Sequence, residues 1–169
     1  MRLANDYLEQ ARHLAQRERT RPKQASLRRA ISVAYYALFH LLSDEASKVL
    51  VHGLRDSGDL QARTARTLDH GAMSRACRAF SANALPPALR FLLPLDADSR
   101  LVAERFAEAQ EKRHLADYNL QVSFNRTDTL NFIEQVEEAF DAYSRIQTSD
   151  AATYFLFAFF FYRSDRWRE

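Results

Sequence analysis

Residues 26–42 read Ser-Leu-Arg-Arg-Ala-Ile-Ser-Val-Ala-Tyr-Tyr-Ala-Leu-Phe-His-Leu-Leu. In this stretch and just beyond it, apolar side chains recur at steps of three and four residues, the period of a helix that buries one face. They are Leu27, Ala30, Ile31, Ala34, Tyr35, Leu38, Leu41, Leu42, Ala46 and Val49. Pro22 suits the first turn of this helix and Gly53 suits its end. The stretch therefore predicts a long helix with a buried face.

Weaker versions of the same pattern predict helices along most of the chain. One begins at Asn5 or Asp6 and runs to about Thr20, and another covers 72–83. Later helices begin near polar residues that can cap them. A fourth begins at Asp96, Asp98 or Ser99, and a fifth at Thr127 or Asp128. A sixth begins within Thr148–Asp150, unless the fifth continues through that point. The glycines at 53 and 58 predict a mobile loop between them. About five or six helices result.

Composition limits the fold class. A chain of 169 residues is the size of one domain, and 3 Gly and 4 Pro are too few for a many-turned sandwich or barrel. Apolar residues make up 47% of the chain, enough to close a core. The sequence predicts an all-α protein, a single antiparallel helical bundle over 1–150 followed by a C-terminal aromatic segment over 151–169.

Several classes of site are excluded by what the sequence lacks. A single cysteine, Cys77, excludes a disulfide framework, and the five histidines show no metal-type spacing. No glycine-rich phosphate loop is present. We therefore expect no metal and no cofactor. The start of the chain does not resemble a signal peptide, and the apolar run 151–162 is shorter than the roughly 20 residues of a membrane-spanning helix. We expect a cytoplasmic protein with no membrane partner.

The net charge is +2, but basic residues concentrate in two regions. Residues 1–30 carry eight basic and three acidic side chains, and residues 60–95 carry five and one. If the two regions share a face, that face can bind phosphates. A solvated helix surface explains the same charges without any ligand.

Two short motifs give the chain a resemblance to a known family. Residues 28–40, with Arg28-Arg29-Ala30 followed by Ala34-Tyr35-Tyr36-Ala37 and then Phe39-His40, resemble the second helix of one branch of the HEPN domains. Arg113 followed by Ala116-Asp117-Tyr118 resembles the late motif of that branch. Asp69-His70-Gly71 lies where the branch often has a polar turn that contains histidine. The resemblance covers roughly residues 4–147.

The resemblance implies a HEPN-like bundle that forms a homodimer. Active HEPN proteins cleave RNA without metal, using an Arg and a His four to six residues later, paired across the dimer. Other members bind nucleotides or serve as partners of a nucleotidyltransferase in toxin–antitoxin pairs. Here Tyr118 stands where that catalytic His is expected after Arg113.

From this resemblance the chain is predicted to bind RNA or a nucleotide as a homodimer, and the resemblance implies a toxin–antitoxin or phage-defence module as the setting. The alternatives are a metal-independent endoribonuclease and a non-catalytic module whose partner is a nucleotidyltransferase or an antitoxin. In the enzyme, Arg113 would stabilise phosphate charge, and His70 or His40 would be the base.

Five further residues are candidates for ligand binding: Arg28, Arg29, Tyr36, Asp117 and Tyr118. Simpler roles compete with these. Arg113 and Asp117 are four residues apart and can form an ordinary ion pair within a helix. Tyr35 lies on the apolar face of its helix and is expected to be structural.

The aromatic segment 151–162 contains seven Phe or Tyr residues. As a helix it would be apolar around most of its circumference, unlike a surface helix. We expect the bundle and a second subunit to cover it.

Overall fold

The computed structural model describes residues 2–54, 57–85 and 87–162. Within these ranges the chain forms α-helices, one short 3₁₀ helix at Pro87–Leu92 and no strands. The α-helices are α1 (Arg2–Gln16), α2 (Gln24–Val51), α3 (Ser57–Ala65), α4 (His70–Ser81), α5 (Ala97–Tyr118), α6 (Arg126–Ile146) and α7 (Asp150–Phe161). The predicted all-α helical bundle is confirmed.

Helix α2 is the central element of the bundle. It contacts α1, α3, α5, α6 and α7, so neighbours surround it on most sides. Its apolar face is fully buried, as Ile31, Leu38 and Leu41 illustrate. Burial extends beyond that face to small residues such as Ser32 and Ser47. Polar groups on α2 therefore lie inside the bundle or at its edge, where they need partners from other helices.

Side-chain caps define where four of the helices begin. Asp69, Asp96, Asn125 and Ser149 each accept a hydrogen bond from the backbone N–H three residues later. Such a cap contributes about 1 kcal/mol, because it satisfies a donor that the first turn leaves without a partner. Ser149 begins α7 as a helix separate from α6, which ends at Ile146.

The helix boundaries differ from the sequence expectation at several points. Helix α1 ends at Gln16, four residues before Thr20, and α2 begins at Gln24, with Lys23 rather than Pro22 at its start. The cap of α6 is Asn125, not Thr127 or Asp128.

Helix α3 was not predicted from the sequence. The loop expected at 53–58 is shorter, because α3 begins at Ser57; Arg55 and Asp56 lie outside the described residues. Helix α3 has nine residues, and Leu60 is 45% exposed. A short helix with little buried apolar surface gives almost no periodic signal.

Helix α7 packs against the bundle through Phe155, Leu156 and Phe159, which are at most 3% exposed. Tyr154 and Phe157 are 51% and 41% exposed. No helix in the described ranges is long and apolar enough to cross a bilayer. Coverage of α7 by a second subunit stays a prediction, and residues 163–169 lie outside the described part of the chain.

Candidate functional site

A cluster of rings lies along one side of α2 and continues onto the start of α4. The imidazole of His70 lies with its centroid 3.8 Å from the Phe39 ring, 5.6 Å from the Tyr35 ring and 5.8 Å from the Tyr36 ring. Asp69 caps α4 and thereby fixes the position of His70, the first residue of that helix. The cap and the ring contacts hold the imidazole in one place at the edge of the core.

Tyr35 connects this cluster to the core. Its side chain is fully buried, and its hydroxyl lies 2.6 Å from Nδ1 of His70. Burial raises the pKa of Tyr35 well above its ordinary value, which outweighs the opposing effect of the nearby Arg113 charge. The phenol therefore keeps its proton throughout the physiological range and is available as a hydrogen-bond donor.

Both histidines of the cluster have lowered pKa values. Burial is the main cause of the lowered pKa of His70, and the positive charge of Arg113 adds to it. Burial alone lowers the pKa of His40, whose ring stacks on Tyr7 of α1 at 5.2 Å between centroids. At neutral pH both rings are uncharged.

Arg113 of α5 lies beside the same rings. Its Nη2 donates to the Tyr36 hydroxyl at 3.1 Å, and its Nε lies 2.8 Å from Oδ2 of Asp117, an ion pair one turn along α5. Its guanidinium carbon is 5.6–5.8 Å from the ring centroids of Tyr35, Tyr36 and Tyr118. Burial acts to lower the pKa of Arg113, but Tyr36 and Asp117 raise it overall. The cation is thus held between tyrosine rings and a carboxylate.

Asp117 joins α5 to α2. It accepts a short hydrogen bond from the Ser32 hydroxyl, and its side chain is 27% exposed. Ser32 precedes Tyr36 by one turn, so two consecutive turns of α2 contact the Arg113–Asp117 pair. These contacts fix the guanidinium relative to the aromatic cluster.

A cleft of about 480 Å³ opens next to the histidines, between the start of α1, the middle of α2 and the turn that joins α3 to α4. Its lining residues are Leu3, Ala4, Phe39, His40, Ser43, Asp44, Ala65, Arg66, Leu68 and His70. Arg66 is exposed, and no carboxylate among the described residues forms an ion pair with it. Of the two basic regions of the sequence, 60–95 contributes Arg66 to this cleft, whereas 1–30 contributes only the apolar Leu3 and Ala4.

Six of the residues predicted for the site form one connected set. Arg113 contacts Tyr36, Asp117 and Tyr118 directly, and the Tyr36 ring lies within 6.3 Å of the His40 ring and 5.8 Å of the His70 ring, centroid to centroid. The structure thus brings together side chains from α2, α4 and α5 that are up to about 80 residues apart in sequence.

The other two predicted residues have different surroundings. Arg28 donates to the carbonyl oxygens of Ala116 at 2.8 Å and Asn119 at 3.0 Å, and also to that of Val122. These bonds anchor the end of α5 and the segment that follows it, where backbone carbonyls lack helical partners. Arg29 is exposed.

Three contributors to the site were not predicted from the sequence: Ser32, the hydroxyl of Tyr35, and Arg66. The sequence does contain a signal for Ser32. At steps of four residues it lies on the same face of α2 as the predicted site residues Arg28, Tyr36 and His40. Arg66 belongs to the basic region 60–95, but nothing singled it out from the other four arginines there, because it follows a helix that the sequence did not reveal.

No protein-family model matches the chain, and no match was found among curated proteins or among solved structures. In the described parts of the chain no three His, Cys, Asp or Glu side chains are grouped as metal ligands. What the site offers is one exposed arginine, one paired arginine, two neutral imidazoles and several aromatic rings. Such a set can bind a phosphate ester and stack on a base.

Proposed function

We propose that the protein binds RNA or a nucleotide in the cleft lined by His40, His70 and Arg66, with Arg113 at its aromatic border. The observation that carries the proposal is the composition of the cleft: an exposed arginine and two neutral imidazoles on walls that are otherwise apolar apart from Ser43 and Asp44. The resemblance to HEPN domains, stated on the same stretch of α2, supports the same class of ligand.

The balance of charge favours an anionic ligand at Arg66. The charge of Arg113 is largely offset by Asp117 at 2.8 Å, whereas Arg66 has no such partner among the described residues. The carboxylate of Asp44 also lines the cleft, and it shares the charge of Lys48, at 2.8 Å, with Glu45. A phosphate placed against Arg66 would gain a charge-assisted hydrogen bond of the kind that guanidinium forms well.

Arg113 can still contribute a donor. Its Nη1 has no hydrogen bond to any described residue and is not one of the buried atoms left without a partner, so this nitrogen is accessible. The half-buried rings of Tyr36 and His40 lie between Arg113 and the cleft, and Tyr118 is 64% exposed. Base stacking on such rings contributes about 1–3 kcal/mol per base.

A second copy of the chain would cover apolar surface near this site. Leu115, Tyr118 and Leu120, at the end of α5 and just after it, are 41%, 64% and 86% exposed. Their position beside Arg113 supports the proposal of a HEPN-like homodimer, which sedimentation of the purified protein can measure. A role in a toxin–antitoxin or phage-defence module rests on the resemblance alone.

Salt-dependent binding of a fluorescent single-stranded RNA tests the proposal. Replacement Arg66→Gln should weaken binding most strongly at low salt and reduce the slope of log affinity against log salt by about 1, because one phosphate contact is lost. Arg63→Gln is the matched control, because Arg63 is an exposed arginine of α3 that pairs with Asp59 and does not line the cleft. Equal effects of the two variants would contradict the proposed site.

The same RNA, incubated with EDTA, separates the alternatives. Binding without cleavage supports the proposal as stated. Cleavage by the wild-type protein that is lost in Arg113→Ala would favour the metal-independent endoribonuclease. Absence of RNA and nucleotide binding even at low salt would favour an interaction module for a nucleotidyltransferase or antitoxin.

A further inference from the structure

The Tyr35 hydroxyl is a buried donor whose partner in the described structure is Nδ1 of His70, at 2.6 Å. A phenol hydroxyl carries one hydrogen, and inside a protein that hydrogen needs an acceptor. If Nδ1 carried a hydrogen and donated to Tyr35, the phenol hydrogen would have no acceptor among the described residues. Satisfying both groups requires that Tyr35 donates and Nδ1 accepts.

The direction of this bond decides where the hydrogen of the imidazole lies. A neutral imidazole carries a single N–H, on one nitrogen or the other. Because Nδ1 uses its lone pair to accept from Tyr35, the hydrogen must be on Nε2. The charged groups near the ring are Arg113 and Asp69, and His40 is the other titratable imidazole beside it. Burial and Arg113 together keep His70 uncharged at neutral pH.

Nε2 is the ring nitrogen that a ligand can reach. It has no hydrogen bond to any described residue, and it is not among the buried side-chain atoms that lack a partner. His70 lines the cleft, while its Nδ1 bonds to a hydroxyl inside the core. The accessible Nε2–H is therefore presented to the cleft, which Arg66 also lines.

We infer that Tyr35 is a positioning residue that makes His70 a hydrogen-bond donor to an anionic oxygen of the ligand through Nε2–H. This rests on the proposed function in one respect, namely that the ligand carries phosphate. It adds a specific role for His70: a nitrogen that already carries hydrogen has no lone pair with which to remove a proton from a 2′-hydroxyl. His70 binds the ligand and is not the base on the cleft side.

Nitrogen-15 NMR of the ligand-free protein, labelled in histidine, tests the inference directly. In the wild type, we expect Nε2 of His70 to resonate as a protonated nitrogen and Nδ1 as a hydrogen-bonded lone-pair nitrogen. In Tyr35→Phe, the Nδ1 signal should move toward that of a free lone pair, and the midpoint of His70 titration should rise. Tyr143→Phe is the matched control, because Tyr143 is a second buried tyrosine whose hydroxyl bonds to Glu45 instead. A protonated Nδ1 in the wild-type protein would overturn the inference without any variant having to fold.

Two replacements of His70 provide the ligand-bound arm, with the single-stranded RNA as probe. Glutamine places an amide N–H near the position of Nε2, whereas asparagine places one near that of Nδ1. We expect His70→Asn to weaken binding by about tenfold or more, the loss of a hydrogen bond to a charged group, and His70→Gln to weaken it several times less. Equal losses would contradict the donor role.

The two experiments together separate the inference from the proposed function. If the wild type binds no RNA but shows the expected tautomer, the proposed function fails while the positioning by Tyr35 stands. If the wild type binds RNA but Nδ1 of His70 is protonated, the proposed function stands and the positioning by Tyr35 fails.

Discussion

Two hollows flank α2, and each contains the partner of a buried tyrosine. The cleft beside His40 and His70 has a volume of about 480 Å³, and a second hollow at the end of α2 has about 320 Å³. Tyr35 bonds to His70 at the first, and Tyr143 donates to Oε2 of Glu45 at 3.3 Å in the second. Both phenols lie in the core, and in both cases burial is the main cause of a raised pKa.

The two hollows differ in whether their cationic side chain has a carboxylate partner. In the second, Lys48 forms ion pairs with Glu45 at 2.6 Å and with Asp44 at 2.8 Å, so its positive charge is fully offset by two carboxylates. In the first, the imidazole of His70 has an accessible nitrogen, and Arg66 has no ion pair with a described residue. Volume and a buried tyrosine are common to both, so they do not identify a binding site. What distinguishes the first hollow is an arginine that has no carboxylate partner among the described residues.

The largest expected effect comes from removing the side chain of Phe155, which anchors α7 to the bundle. Helix α7 lines the second hollow with Thr153 and Leu156. Phe155 is fully buried, with its ring 5.3 Å from that of Phe80. Phe155→Ala should lower the free energy of unfolding by about 3–5 kcal/mol, because it removes buried surface and leaves a cavity. Urea denaturation followed by circular dichroism measures it.

Phe157→Ala is the control for that experiment, because Phe157 is 41% exposed on the same helix. It should change stability by no more than about 1 kcal/mol. If the second hollow is purely structural, Phe155→Ala should leave RNA affinity unchanged under conditions where the variant is still folded. A loss of affinity in the folded variant would show that α7 and the cleft are coupled, and the comparison would fail.

A smaller effect is expected from neutralising the internal ion pair of the second hollow. Glu45→Gln keeps an oxygen that can accept from Tyr143 but removes the charge opposite Lys48. We expect a loss of about 0.5–1 kcal/mol in the free energy of unfolding, since the Lys48 side chain is 46% exposed and water weakens the pair. RNA affinity should not change, whereas Arg66→Gln should lower it. Equal losses of affinity in both variants would remove the distinction between the two hollows.

The two regions also differ in how far the sequence alone could predict them. Periodic apolar spacing predicted α2, and the polar residues at 96 and 149 marked where α5 and α7 begin, because helices report their buried faces and their caps locally. Two motifs singled out Tyr36, Arg113 and Asp117, and the stretch 69–71 singled out His70 without placing it relative to them; the structure brings these side chains together through shared rings.

Contacts made between distant segments were not readable in the same way. Nothing near Tyr35 in the sequence indicates that its hydroxyl meets an imidazole 35 positions later. Likewise, nothing near Arg28 in the sequence indicates that its guanidinium donates hydrogen bonds to the carbonyl oxygens at the end of α5. In both cases the packing of the helices determines the partner. A single sequence indicates which residues are buried, but it does not indicate which residues contact one another.

The smallest effect we predict is a dependence of stability on pH that arises from the first region. The pKa values of His40 and His70 are lowered in the folded protein, mainly by burial. In the unfolded chain a histidine has a pKa of about 6.5, so acid protonates the unfolded state first. The stabilisation that these rings provide as neutral groups is therefore complete above about pH 6.5 and is lost as the pH falls from there through the lower folded pKa values.

Denaturation curves between pH 8 and pH 5 should show this decline in the free energy of unfolding. His40→Gln and His70→Gln should each make the decline shallower, while the difference from wild type stays constant above pH 7.5. An unchanged slope in His70→Gln would mean that its ring is as free to take a proton in the folded protein as in the unfolded one, and the contrast between the two hollows would then rest on Arg66 alone.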